Sequence, residues 1–187
     1  MQSLRWPLRQ ARDIVWAGGV IAYPTEAVFG LGCDPLAANA VERILAMKSR
    51  DASKGFILIA SRIEQLLPFL APLKAGVRRT LDASWPGPVT WVVPAADAVP
   101  IELTGGRETL AVRVTAHPGA RALCDATGMA LVSTSANLSG HAPARSALQV
   151  RARLSAEVDY VVPGRTGPQR KPTEIREALT GKILRAG

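Results

Sequence analysis

The sequence predicts an α/β domain (α+β in its mixed connections) on a mixed parallel and antiparallel sheet flanked by helices. Three observations predict it. Short apolar runs of strand length recur along the chain. Segments with helical spacing fall between them, and Gly or Pro punctuates the junctions.

Taken in order, Leu8 to Ala17 reads as a helix ended by Gly18-Gly19. Val20 to Tyr23 is a short apolar strand stopped by Pro24. Asn39 to Lys48 is a helix with Val41, Ile44 and Leu45 at i, i+3 and i+4, and Phe56 to Ala60 is a buried-type strand. Ile63 to Leu70 and Leu73 to Ser84 read as helical on either side of Pro72. Val89 to Val93 and Leu110 to Val114 are strands, and Pro94 to Glu108 between them is a loop or hairpin connection. His117 to Thr127 is a helix that Gly128 stops, and Ala130 to Thr134 is a strand. Ser146 to Leu154 is a helix with Ser146 as candidate N-cap, followed by a strand from Val158 to Val162. The Gly/Pro/Arg-rich stretch Gly164 to Pro172 reads as a mobile loop or lid, and the tail Thr173 to Leu184 mixes polar and apolar residues without a clear period.

A chain of 187 residues suits one domain, taken as residues 1–187. At that length roughly 70% of the unfolded surface is buried, so no metal or disulfide is needed for stability. Hydrophobic residues make up 48% and charged residues 20%, which excludes disordered and fibrous classes. The charge balance is +8, mostly from arginine, and favours anionic partners such as nucleotides or RNA. Cys33 and Cys124 are far apart, show no metal-ligand or disulfide spacing, and read as reduced thiols of a cytoplasmic protein. The Arg-rich start, Met1 to Arg12, lacks the apolar core of a secretory signal. No apolar run approaches the roughly 20 residues of a membrane span, so no membrane partner is expected.

Four segments carry candidate chemistry. In Tyr23-Pro24-Thr25-Glu26-Ala27-Val28-Phe29-Gly30-Leu31-Gly32, a strand ends at a proline and a Thr–Glu pair follows; it is a ligand-facing strand exit or a plain turn in which Thr25 bonds its own backbone. Lys48-Ser49-Arg50, with Lys54 nearby, sets cations beyond a helix end. They either clamp an anion or complement the helix dipole. Ser133-Thr134-Ser135-Ala136-Asn137-Leu138-Ser139-Gly140 brings hydroxyls, an amide and backbone N–H groups to a strand exit, where they can cradle an anion. Arg113, inside the apolar strand Leu110 to Val114, is costly to bury alone. It pairs with an Asp or Glu of the fold or awaits a ligand carboxylate.

The blocks YPTEAVFGLGCDP, KSR, SWPGPVT, LAVRVTAHP, LVSTSANLSG and PTEIREALTG, in this order across nearly the whole chain, resemble the YrdC family in its short bacterial form. The resemblance implies a twisted mixed sheet with a large, basic, concave face. It implies synthesis of threonylcarbamoyl-AMP from L-threonine, bicarbonate or CO2, and ATP, with release of pyrophosphate. A separate transferase complex is then expected to pass the threonylcarbamoyl group to the adenosine beside the anticodon of certain tRNAs. Lys48, Arg50, Ser135 and Asn137 fall on the family's ATP-phosphate positions, Thr173 on a hydroxyl near the nucleotide, and Thr25, Arg113 and Ser133 on the threonine site. Lys48, Arg50 and Arg113 are the expected catalytic residues, and Mg²⁺ is expected to arrive with ATP and keep several waters.

The chain departs from the wider family at Ala27 and Phe29, where a hydroxyl and a phenol are common, and at Asp51, where many members carry proline. The Asp51 change bears on loop rigidity and on ATP contacts. Two other functions fit the composition: a non-catalytic module binding tRNA or double-stranded RNA, and a carbamoyl-transfer enzyme using carbamoyl phosphate. The aromatic content of 5% leaves few platforms for stacking single-stranded bases, though shape-based binding to double-stranded RNA needs none.

Overall fold

The computed structural model describes residues 6–49, 51–169 and 171–187. Its elements are α1 (Trp6–Trp16), β1 (Ile21–Pro24), β2 (Phe29–Gly32), α2 (Ala38–Met47), β3 (Ile57–Ala60), α3 (Ala75–Asp82), β4 (Val89–Pro94), α4 (Ile101–Thr104), β5 (Thr109–Val114), α5 (Pro118–Thr127), β6 (Leu131–Ser135), α6 (Ala147–Leu154), β7 (Tyr160–Val161), β8 (Glu174–Glu177) and β9 (Ile183–Arg185). The strands form one mixed sheet in the order β7-β1-β2-β6-β3-β5-β4-β8-β9. The β1/β7, β3/β5 and β4/β8 pairs are parallel, and the other pairs are antiparallel.

Alternation along the strands divides the core in two. Ala22, Leu58, Val112, Val132 and Trp91 face one side, where α2, α3 and α6 cover them. Ile21, Tyr23, Ile59 and Leu131 face the other, where α1 and α5 bring Ala11, Val15, Ala120 and Leu123. Each fully buried Val, Leu or Ile among them stabilises the fold by about 1.5–3 kcal/mol. Helices α1 and α5 cover only the part of this second face near β1, β3 and β6. The same face of β5, β4 and β8 is left to a cavity.

Local sequence explains the helix ends. Ser146 caps α6 by accepting from the Gln149 N–H at 3.2 Å, as its position predicts. His117 caps α5 through Nδ1, which accepts from the Ala120 N–H, with Pro118 in the first turn and Gly128 left-handed at the end.

Several expectations are corrected. Ile63 to Leu70 is not an α-helix but two short 3₁₀ turns, because Pro68 has no N–H to continue a helical ladder. Helix α3 is shorter than Leu73 to Ser84, since Lys74 is extended. The stretch Phe29–Gly32 is a strand, antiparallel to β1, rather than a turn. Its glycines hide the strand pattern but make room for Tyr23: a Cβ on Gly32 would stand 2.7 Å from that ring. The Pro94 to Glu108 connection does join antiparallel strands, with one helical turn, α4, inside it. The tail without a clear period forms β8 and β9.

Candidate functional site

The cavity has a volume of about 590 Å³, within the range of small-molecule sites. Strand register builds its floor. Ser133 of β6 lies opposite Ile57 of β3, Ile57 opposite Ala111 of β5, Ala111 opposite Val92 of β4, and Val92 opposite Glu177 of β8. All five line the cavity, together with Thr25 and Gly30 from the β1–β2 hairpin. Cations dominate the charged groups around it, with Lys54, Arg107, Arg113 and Arg185 against Glu177. This is the basic, hollow sheet face that the resemblance implies.

Arg113 is buried at one end of this floor, and the structure resolves its two alternatives into one arrangement. Its Nη2 donates to Glu26 Oε2 at 3.0 Å, and its Nη1 donates to Thr173 Oγ1 at 2.6 Å. Thr115 Oγ1 donates to the other Glu26 oxygen at 2.5 Å. The buried Arg113 Nε has no hydrogen-bond partner among the described residues, an orphan donor in a residue that lines the cavity. Arg113 therefore has its fold partner, Glu26, and a donor still unmatched. Arg185 hangs on the Thr173 carbonyl at 2.7 Å; burial first, and then the Arg113 charge, make it a weaker base than a free arginine. Two guanidinium groups at one end of a cavity attract anions.

Lys48, Ser135 and Asn137 come together as expected, in an unexpected way. Lys48 is buried just beyond α2, and its Nζ donates to Ser135 O at 2.7 Å, Asn137 Oδ1 at 2.9 Å and Asn137 O at 3.2 Å. Ser135 Oγ donates to Asn137 Oδ1 at 2.7 Å. The ammonium thus holds the turn that leaves β6, and Ser135 carries the cluster to the cavity wall. Arg50 lies outside the described residues. Asp51 accepts from the Ser53 N–H at 2.9 Å and caps the following 3₁₀ turn, and this bond holds its carboxyl below the usual range. Asp51 therefore orders the start of this loop through its side chain. Of the other departures, Ala27 lines the cavity and Phe29 is in the core.

Thr25 closes the β1–β2 hairpin, its Oγ1 donating to Val28 O at 2.8 Å. The stretch read as a lid crosses this hairpin. The Gly167 N–H donates to Thr25 O at 2.9 Å and the Gln169 N–H to Glu26 O at 3.2 Å, while His117 Nε2 sits 3.1 Å from Arg165 O. Sequence reasoning did not single out Glu26, Thr115, Arg107 or Arg185. The signal for Glu26 was present: a buried arginine needs an acid, and this one follows Thr25 directly.

Comparison with known proteins gives concordant results. A family model for Sua5, YciO and YrdC, described as telomere recombination, matches residues 13–187. A threonylcarbamoyl-AMP synthase of Nitrosococcus oceani is 56% identical over 185 residues, covering 99% of this chain and 100% of that protein. One from Escherichia coli O1:K1 is 52% identical over 179 residues, covering 95% of this chain and 94% of that protein. The structure of P. abyssi Sua5 complexed with L-threonine superposes with a TM-score of 0.89 at 31% identity, covering 96% of this chain and 54% of that one. The chain thus spans just over half the length of that Sua5 protein.

Proposed function

The chain belongs to the Sua5/YciO/YrdC family, and from that premise we propose that it is a threonylcarbamoyl-AMP synthase, an enzyme of the nucleotidyltransferase class. Its substrates are L-threonine, bicarbonate or CO2, and ATP; its products are threonylcarbamoyl-adenylate and pyrophosphate. The observation that carries the reading is one basic cavity lined by Thr25, Arg113, Ser133, Ser135 and Thr173, with Ser135 belonging to the turn that Lys48 and Asn137 hold behind its wall.

In this reading the Arg113 guanidinium faces the threonine carboxylate or the carbamate, and the Thr25 and Ser133 side chains bound the amino acid. The threonine amine adds to CO2 with loss of a proton. A carbamate oxygen then attacks the α-phosphorus of ATP, and the bond to pyrophosphate breaks. No covalent enzyme intermediate is required, so catalysis rests on positioning and charge. Ser135 and Asn137 orient the α-phosphate, Thr173 stands near the nucleotide, and Lys48 and Arg50 offset phosphate charge.

Mg²⁺ is proposed as a companion of ATP. Among the described residues no group of three or more His, Cys, Asp or Glu could hold it, so the phosphates and water would supply its ligands. The labile product is proposed to pass to a separate transferase acting on tRNA, with direct contact between this chain and tRNA or double-stranded RNA a further proposal. The work is assigned to the cytoplasm; among the described residues no helix is long and apolar enough to cross a membrane.

The test is product identity. The purified protein, given L-threonine, bicarbonate and ATP, should yield threonylcarbamoyl-AMP by mass spectrometry. A carbamoylated product without threonine, formed only from carbamoyl phosphate, would replace the proposal with a different carbamoyl transfer.

A further inference from the structure

We propose that Glu26 sets the charge selectivity of the amino-acid pocket, making it take a zwitterion in preference to a carboxylate that lacks an ammonium group. The inference rests on the reading that Arg113 receives the carboxylate of the amino acid. Arg113 is 4% exposed and Glu26 7%, so the pair is hardly screened by water. Among the described residues Glu26 is the carboxylate ion-paired with Arg113, at 3.0 Å.

Both oxygens of Glu26 are fixed. Oε2 accepts from Arg113, and Oε1 accepts from Thr115 Oγ1. Thr115 Oγ1 in turn accepts from the His117 N–H at 3.1 Å, which turns the hydroxyl proton towards Glu26. The Glu26 carbonyl is tied to Gln169, so the turn that carries the acid is held as well. Arg185 adds a second positive charge near Arg113; the residue is exposed overall, but its guanidinium is partly buried beside Arg113, so Glu26 is what offsets the positive charge at this end of the cavity.

The consequence is electrostatic. A buried guanidinium without a counter-charge would bind any small carboxylate, bicarbonate included. Bicarbonate is also the source of the carbon to be transferred, so its capture by Arg113 would block the amino-acid site. With Glu26 beside it, Arg113 forms a near-neutral pair. An incoming carboxylate is then favoured only when it brings its own positive charge, as L-threonine does.

The experiment compares L-threonine with 3-hydroxybutyrate, which is threonine without its ammonium, by calorimetry on the full chain and on Glu26→Gln. The unaltered protein should prefer L-threonine by at least about tenfold, and Glu26→Gln should shrink that ratio at least about tenfold, mainly by tighter 3-hydroxybutyrate binding. Bicarbonate should become competitive with L-threonine in the variant. An unchanged ratio in a folded Glu26→Gln overturns the inference. So does equal affinity for the two ligands in the unaltered protein, a result that needs no variant to fold. Failure of the unaltered protein to bind L-threonine at all would instead remove the functional reading on which the inference rests.

Discussion

Replacing Lys48 with Met keeps an unbranched apolar stem of similar length and removes the ammonium. The ammonium's bonds to Ser135 O at 2.7 Å, Asn137 Oδ1 at 2.9 Å and Asn137 O at 3.2 Å are then lost, while Asn137 Oδ1 keeps the Ser135 Oγ donor. A hydrogen bond to a charged group contributes about 1.5–3 kcal/mol, and bonds sharing one ammonium do not add. Ser135 and Asn137 are only half-buried, so water replaces part of what is lost. The net loss at the turn is then about 2–4 kcal/mol, which corresponds to a fall of roughly 30- to 1,000-fold in kcat/KM for ATP. The assay is pyrophosphate release at saturating L-threonine and bicarbonate with ATP varied, beside a urea unfolding curve for each protein. Lys48→Arg should not rescue activity, because a planar guanidinium cannot occupy a cage of carbonyls shaped for a compact ammonium. A Lys48→Met protein with kcat/KM for ATP within about threefold of the unaltered enzyme would show that the β6 exit keeps its shape without the ammonium.

Arg113→Ala should raise KM for L-threonine more than KM for ATP and destabilise the fold by about 3–5 kcal/mol, because it strands the buried Glu26; steady-state kinetics and denaturant midpoints check both. Arg43 holds Asp159 below the usual carboxylate range by a hydrogen bond, so their pair stabilises the fold above about pH 4 and fades as pH falls through the lowered value. Asp159→Asn should therefore flatten the acid limb of a pH–stability curve, though only slightly, as both partners are partly solvated. Burial pushes the Cys33 and Cys124 thiols up to about 12, so neither should react with a thiol reagent at pH 8 until denaturant exposes both, as a spectrophotometric count would show.

The sequence made the helices and central strands legible because their signals are local. Ser146 and Gly128 mark real helix ends, and the alternation in Leu110 to Val114 sets Arg113 on the opposite face from Leu110, Val112 and Val114. It failed where a residue answers to something distant. Gly30 and Gly32 read as turn formers, yet they pair with Tyr23 and Ile21 in the β1–β2 ladder, and Gly32 has to be small because the Tyr23 ring occupies the space of its Cβ. The tail looked formless because β8 is half-buried along its whole length and the edge strand β9 is exposed along its whole length, so neither alternates between inside and outside. At the site, strand exits rich in hydroxyls were visible one by one. Their convergence was not, since the floor row from Ser133 to Glu177 is fixed by register across five strands. The bonds of the Lys48 ammonium to carbonyls of the β6 exit join residues far apart in the chain, and a cation after a helix carries no local sign of them.

The most direct test of the account is pyrophosphate release from ATP by the purified protein, in bicarbonate, with and without L-threonine. Release that depends on L-threonine is the predicted result and would establish adenylate synthesis in this cavity. No release in either condition, with calorimetry finding neither ATP nor L-threonine bound, would contradict the account and leave the basic sheet face to an RNA-binding role.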